Sequence, residues 1–175
     1  MDKKIEKYNT ILKEYLDIVP QENKKLYEEL ANMAINIGYV PIRHKTKIIA
    51  ISFRNNKTKS TIMKFCEVIK DGLFRLKFSA NKNYSKIFDE SIKKYDDIIR
   101  EKYSVKYNMK DNFTCFGCKD CINKRELFYT INYDDGRKVK VCGEILFVPI
   151  HKLTKKIVEE AGNMIKIQHE KLIEK

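Results

Sequence analysis

Between residues 45 and 79 three segments alternate apolar and polar residues with a period of two, and turn-forming residues separate them. In "KTKIIAISFRN" Ile49, Ile51 and Phe53 point one way, and Ala50, Ser52 and Arg54 the other. "NNKTK" is turn-like, "TIMKFCEVI" follows, and "KDG" leads into "LFRLKFS", where Phe74, Leu76 and Phe78 share a face opposite Arg75 and Lys77. Side chains alternate across a strand, and short turns join neighbours of opposite direction. The expectation is therefore a three-strand antiparallel meander. Its core face is apolar, and its outer face carries Ser52, Arg54, Lys64, Arg75 and Lys77.

Elsewhere the period is helical. Ile5, Tyr8, Leu12, Tyr15, Leu16 and Val19 recur at helical spacing over residues 3–19, and Pro20 ends that helix or opens the next. A second helix is expected over 21–37, with Leu26, Tyr27, Leu30, Ala31 and Ala34 on one side and Gly38 closing it. "YSKIFDESIKKYDDIIREKY" predicts a central amphipathic helix over 84–103, striped by Ile87, Phe88, Ile92, Tyr95, Ile98 and Ile99. "ELFYTINY-DDG-RKVKVCGEILFVPI" reads as a C-terminal hairpin. Asp134-Asp135-Gly136 suits a three-residue loop with Gly136 left-handed, which pairs Tyr133 with Arg137 and position 128 with Cys142. A last helix starts near Thr154 as N-cap, with Leu153 and Val158 as a hydrophobic staple and Gly162-Asn163 as a point where it would bend or split. The expected class is α+β. We expect a single domain over 1–175, with a cysteine-bearing loop and hairpin at 113–148.

Four of the five cysteines fall in that subregion: Cys115, Cys118 and Cys121 in "CFGCKDC", and Cys142 in "KVKVCGEIL". A Cys-x-x-Cys knuckle presents two thiolates to one metal, and tetrahedral zinc takes four N/S ligands. In the hairpin register Cys142 lies off the face shared by Val139 and Val141, so core filling does not explain it. Position 128 is seven residues past Cys121, about 23 Å if the strand ran straight at ~3.3 Å per residue. The four sulfurs can meet only if residues 122–125 fold the knuckle back over the hairpin. A Cys₄ zinc site is the leading expectation. Zinc held by fewer of these cysteines plus His151 or His44, an iron–sulfur cluster, and thiol redox chemistry such as a Cys118–Cys121 disulfide stay open. The cluster run typical of ferredoxins would need a nearby fourth Cys and a following Pro, and both are missing. Cys66, alone in its strand, reads as a small packed residue.

Length and charge narrow the function. A chain of 175 residues can hide roughly 70% of its extended surface, so cysteines are not needed merely to hold a small scaffold together. There is no run of 18 apolar residues to span a membrane, and "MDKKIEKYNT" lacks the apolar core of a secretory signal. A cytoplasmic location without a membrane partner is expected, where thiols stay reduced and clustered cysteines read as metal or redox ligands more often than as disulfides. The net charge is +12. Residues 41–88 hold twelve Lys/Arg against two acids, Glu67 and Asp71, a concentration that uniform codon bias would not produce. Cations fixed on a sheet can hold phosphate oxygens, and Arg54, Lys64, Arg75 and Lys77 are the candidate anion-binding residues. The face has no exposed aromatics for base stacking. Its alternative covering is the acidic side of the central helix, with Asp89, Glu90, Asp96 and Asp97 as partners.

The histidines are scattered at 44, 151 and 169, and no phosphate loop, dinucleotide fingerprint, His-Glu-x-x-His or nucleophile elbow is present. Four thiolates on zinc would also close its coordination sphere to substrate. The sequence therefore points to a non-catalytic, zinc-stabilised domain that binds a polyanion such as nucleic acid. The other class left open is a thiol- or metal-dependent enzyme or an iron–sulfur redox protein.

Overall fold

A computed structural model describes residues 3–67, 72–80, 85–86, 89–91, 93–94, 128–142, 147–150 and 152–174. Along the chain the elements are α1 (Lys3–Leu16), α2 (Gln21–Asn36), β1 (Tyr39–Arg43), β2 (Ala50–Asn55), β3 (Thr61–Cys66), β4 (Leu73–Leu76), β5 (Phe128–Asn132), β6 (Lys138–Cys142), β7 (Val148–Ile150) and α3 (Lys155–Ile173). The class is α+β, as the periodicities imply. A five-stranded sheet has the order β1-β2-β3-β4-β7, and a two-stranded sheet pairs β5 with β6. The chain divides into two compact units, one of residues 1–76 and 150–175 and the other of residues 77–149.

In the first unit the sheet register builds the core. Ile51, Phe65 and Phe74 form one cross-strand row, and Phe53, Met63 and Leu76 the next. All six are buried. Phe65 is the hub: its ring lies 5.2 Å from Tyr15, 5.0 Å from Tyr27, 4.9 Å from Phe53 and 6.2 Å from Phe74. Such ring pairs contribute about 0.5–1.5 kcal/mol each beyond area burial. The helices meet this row with the expected stripes, Leu12 and Tyr15 from α1, and Tyr27, Leu30, Ala31 and Ala34 from α2. Buried hydroxyls are hydrogen-bonded in the large majority of cases, and Tyr15 follows that rule. Tyr15 Oη donates to the Cys66 carbonyl at 3.4 Å and accepts from the Leu73 N–H at 3.1 Å, tying α1 to the start of β4.

Three features depart from expectation. β1, paired with β2 from Tyr39↔Asn55 to Arg43↔Ile51, is an additional strand. It carries Pro41, a poor strand former, but it is the sheet edge, where a missing N–H is tolerated. Residues 148–150, read as part of the hairpin, instead form the fifth strand of the main sheet. α3 runs unbroken through Gly162. A Cβ there would lie 2.6 Å from Met33 Sδ, so the glycine lets α2 and α3 approach rather than breaking the helix. Thr154 caps α3 as expected, its Oγ1 accepting from Ile157 N–H at 3.3 Å.

In the second unit the hairpin has the inferred register. Tyr133 N–H donates to Arg137 O at 2.9 Å, Gly136 has φ +85°, and Phe128 is opposite Cys142. Asp135 fastens the loop by accepting from Arg137 N–H at 3.0 Å and Nε at 2.6 Å, and these bonds hold its carboxyl below the usual range. The central helix at 84–103 lies largely outside the described residues. Within it, Asp89 N–H donates to Ser85 O, and Lys86–Glu90 and Lys93–Asp89 pair one turn apart.

Gly72 tests the Tyr15 tie. It has φ +74°, and a Cβ would come within 2.6 Å of Tyr15 Oη and 2.8 Å of Val19 Cγ1. Left-handed strain and overpacking together should make Gly72→Ala cost about 2–4 kcal/mol. Urea unfolding measures this, and a loss below about 1 kcal/mol would contradict the packing described.

Candidate functional site

The cationic strip follows from the core register. Because Phe65 and Phe74 face the helices, their neighbours Lys64 and Arg75 face the other way. Ile42, Ser52, Lys64 and Arg75 form one row across β1 to β4. Paired strands lie ~4.8 Å apart, so Lys64 and Arg75 are adjacent charges. Arg54 lies further along β2, opposite Thr61 across a bulge, and is exposed, whereas Lys64 and Arg75 are half-buried. Arg75 Nε is buried with no hydrogen-bond partner among the described residues. Ser52, expected on an open outer face, is instead buried, as are Cys66 and Leu73. The strip is thus recessed rather than an open plain. Lys77 is half-buried, one residue beyond β4.

Cys66 adjoins this strip. Burial pushes its thiol up, while Arg75 and Lys64 pull it the other way. Burial prevails, which keeps the group a protonated thiol at neutral pH and a poor nucleophile. That agrees with its reading as a packed residue.

The cysteine cluster has one member with a described backbone. Cys142 ends β6 in the expected register, whereas Cys115, Cys118 and Cys121 lie outside the described residues, as does His151. Among the described residues no three His, Cys, Asp or Glu side chains come together as a metal site. His44 is exposed in the turn after β1, with its N–H donating to Ala50 O at 2.9 Å. Of the candidate acidic partners, Asp89 and Glu90 pair with Lys93 and Lys86 of their own helical segment, and Asp96 and Asp97 lie outside the described residues. Also among the described residues, no helix is long and apolar enough to cross a membrane.

A cleft of about 860 Å³ is a site that pattern reading missed. It lies where α2 and α3 end beside the β2–β3 turn, lined by Ile37, Gly38 and Val40, by Asn55 to Thr58, and by His169, Leu172 and Ile173. The buried Asn55 shapes the turn: its Oδ1 accepts from the backbone N–H of Lys57 at 2.8 Å and Thr58 at 3.2 Å. Tyr39 is fully buried, with its ring edge-on to His169 at 5.6 Å. Tyr39 Oη and Thr58 Oγ1 are buried side by side, and His169 Nδ1 is buried with no hydrogen-bond partner among the described residues. Burial pushes the Tyr39 phenol up to about 12, and a hydrogen bond from the Thr58 hydroxyl only partly draws it back. The "NNKTK" segment reads as a mere turn, and His169 as part of a charged helix end. The available signal was spacing, since Ile165, His169 and Leu172 share one helical stripe.

Tyr39 ionises near 10 when unfolded and near 12 when folded, so the folded state holds its proton longer. Its contribution to stability is complete below pH 10 and is lost as pH rises towards 12. Tyr15, also raised chiefly by burial, acts in the same sense. Stability from urea midpoints at pH 9 and pH 11 should fall, and Tyr39→Phe should make the fall shallower. An equal fall in the variant would contradict the burial of this phenol.

No protein-family model, curated protein or solved structure significantly matches the chain.

Proposed function

We propose that this protein is a non-catalytic, zinc-stabilised domain that binds a polyanion, nucleic acid first among them, through the cationic strip of its sheet. The observation that carries the reading is the pairing of Lys64 with Arg75 on the side of the sheet opposite the aromatic core, with Arg54 exposed on β2. A guanidinium stays charged at any physiological pH and its fork fits phosphate oxygens. Arg75 keeps a buried N–H without a protein acceptor among the described residues, and an anion would supply one. The surrounding segment is strongly cationic, with twelve Lys/Arg between residues 41 and 88. Like charges held together repel, and phosphate relieves that repulsion while releasing counterions. Contacts of this kind hold a backbone without reading its bases.

Zinc enters through Cys115, Cys118, Cys121 and Cys142. Their support is clustering in sequence and the β5–β6 register that brings Cys142 opposite Phe128. Four thiolates around one zinc would fasten the knuckle to the hairpin, and the metal's binding free energy would feed into folding of that subregion.

Two measurements test these two parts separately. Anisotropy titrations of a labelled duplex at several salt concentrations should give a log–log slope of about −0.9 per phosphate neutralised. Joint Arg54→Ala and Arg75→Ala should flatten the slope by roughly one to two units with little change in sequence preference. No binding of DNA or RNA at low salt would end the nucleic-acid reading. Elemental analysis should find one zinc per chain, and Cys118→Ser should lower hydrogen-exchange protection chiefly within residues 113–148. Iron with sulfide, or unchanged protection, would contradict the structural zinc.

A further inference from the structure

The cleft at the ends of α2 and α3 belongs wholly to the first unit, and none of Arg54, Lys64, Arg75 and Lys77 lines it. Its wall holds one fixed polar group. Asn55 lines the cleft although it is only 5% exposed. Its Oδ1 is taken up by the turn, accepting from the N–H groups of Lys57 and Thr58. The amide is planar, so pinning Oδ1 also fixes where Nδ2 points. Nδ2 donates to no acceptor among the described residues, and unlike His169 Nδ1 it is not sealed from solvent. Gly38, also on the wall, keeps it open: a Cβ there would lie 3.3 Å from Nδ2, and φ of +89° reserves the position for glycine. A preset donor on the wall of a cavity is the kind of group that orients a small ligand.

The other lining residues define that ligand. Lys57 is exposed and lines the cleft two residues from Asn55, and no Asp or Glu does so. Amide donor and ammonium thus share one turn, and the group they suit is an acceptor with negative charge. The remaining walls are apolar and incompletely covered: Ile37, Val40 and Leu172 are half-buried, and Ile173 is 59% exposed. A ligand body that covers them gains by removing that surface from water. Ile37 is the C-cap of α2 and Ile173 the last residue of α3, and helix C-termini carry partial negative charge. That charge keeps an anion away from the helix side and close to the turn. The ligand therefore has an apolar body at the helix ends and a singly charged acceptor group at the turn. A carboxylate meets this with two oxygens, one for Nδ2 and one for Lys57. A phosphate monoester would bring more negative charge than one lysine matches, an amine would be repelled, and an alcohol would leave Lys57 unmatched. The volume of about 860 Å³ is within the range of small-molecule sites, roughly 300–1,000 Å³.

We propose that this cleft binds a small carboxylate with an apolar body, its head group held by Asn55 Nδ2 and Lys57 and its body lying against Ile37, Val40, Leu172 and Ile173. The test is a titration of nitrogen-15-labelled full-length protein with octanoate, octanol, octylammonium and acetate. Octanoate should give saturable shifts confined to residues 37–40, 55–58 and 169–173. Octanol should bind there several-fold more weakly, and octylammonium and acetate should give no saturable shifts. Asn55→Asp keeps an acceptor for both turn N–H groups and puts an anionic oxygen where the donor was. It should weaken octanoate by about tenfold or more, the worth of a hydrogen bond to a charged group. Lys57→Glu, on an exposed side chain, replaces an attraction by a repulsion and should weaken octanoate by about five- to tenfold. In both variants octanoate should fall to the affinity of octanol or below it. The proposal is overturned if octanoate gives no saturable shifts in these residues, if octanol binds as tightly as octanoate, or if both variants bind octanoate like the parent. Should Asn55→Asp not fold, Lys57→Glu decides alone, and parental affinity in that variant overturns the proposal. Arg54→Ala with Arg75→Ala should leave octanoate affinity unchanged, so failure of the polyanion reading and failure of the carboxylate site are distinguishable.

Discussion

Packing around Phe65 governs the first unit. Its ring touches residues from both N-terminal helices and from the two strands beside its own. Once Phe65 faces the helices, strand geometry leaves no choice for the residue before it. Lys64 must face the opposite side, and since Phe74 pairs with Phe65, Arg75 must join Lys64 there. A slip of one residue would send the aromatic row outward and two cations into the core. The energetics of burial, not any attraction between the charges, therefore hold two like charges side by side.

The Tyr15 hydroxyl secures the same register through the backbone. It bonds the last carbonyl of β3 and the first N–H of β4, the two groups that flank the loop joining these strands. Gly72 is needed there because its backbone is left-handed and any side chain would meet that hydroxyl. Core, turn and cationic strip are thus one construction, in which a change at Gly72 or Phe65 reaches Lys64 and Arg75 without touching them.

The meander, both N-terminal helices, the capped C-terminal helix and the Asp134-Asp135-Gly136 hairpin were legible because each has an unambiguous period and a turn residue with a specific role. β1 was not, because Pro41 interrupts the alternation and, among the described strands, it pairs with β2 alone. The three residues of β7 are too short to show a period. Gly162 looked like a break because sequence does not reveal the Met33 sulfur that occupies the space a side chain would need. The cationic strip was legible as a pattern, although the burial of Ser52 was not, since alternation reports which side a residue takes and not what covers it. The cleft was not legible at all. Its members come from a helix end, a strand, a turn and the C-terminal helix, which meet only in three dimensions. The cysteine triplet lies outside the described residues, so its role as a ligand set stays an expectation from its spacing.

The most direct measurement of the central claim, that the aromatic core holds Lys64 and Arg75 together as an anion site, is a heteronuclear NMR titration of the protein with a short duplex. The side-chain signals of Arg54 and Arg75 and the amides of residues 63–65 and 74–76 should shift together, saturate together and return as salt is raised. Shifts that spare β3 and β4 while the duplex binds elsewhere would contradict the account.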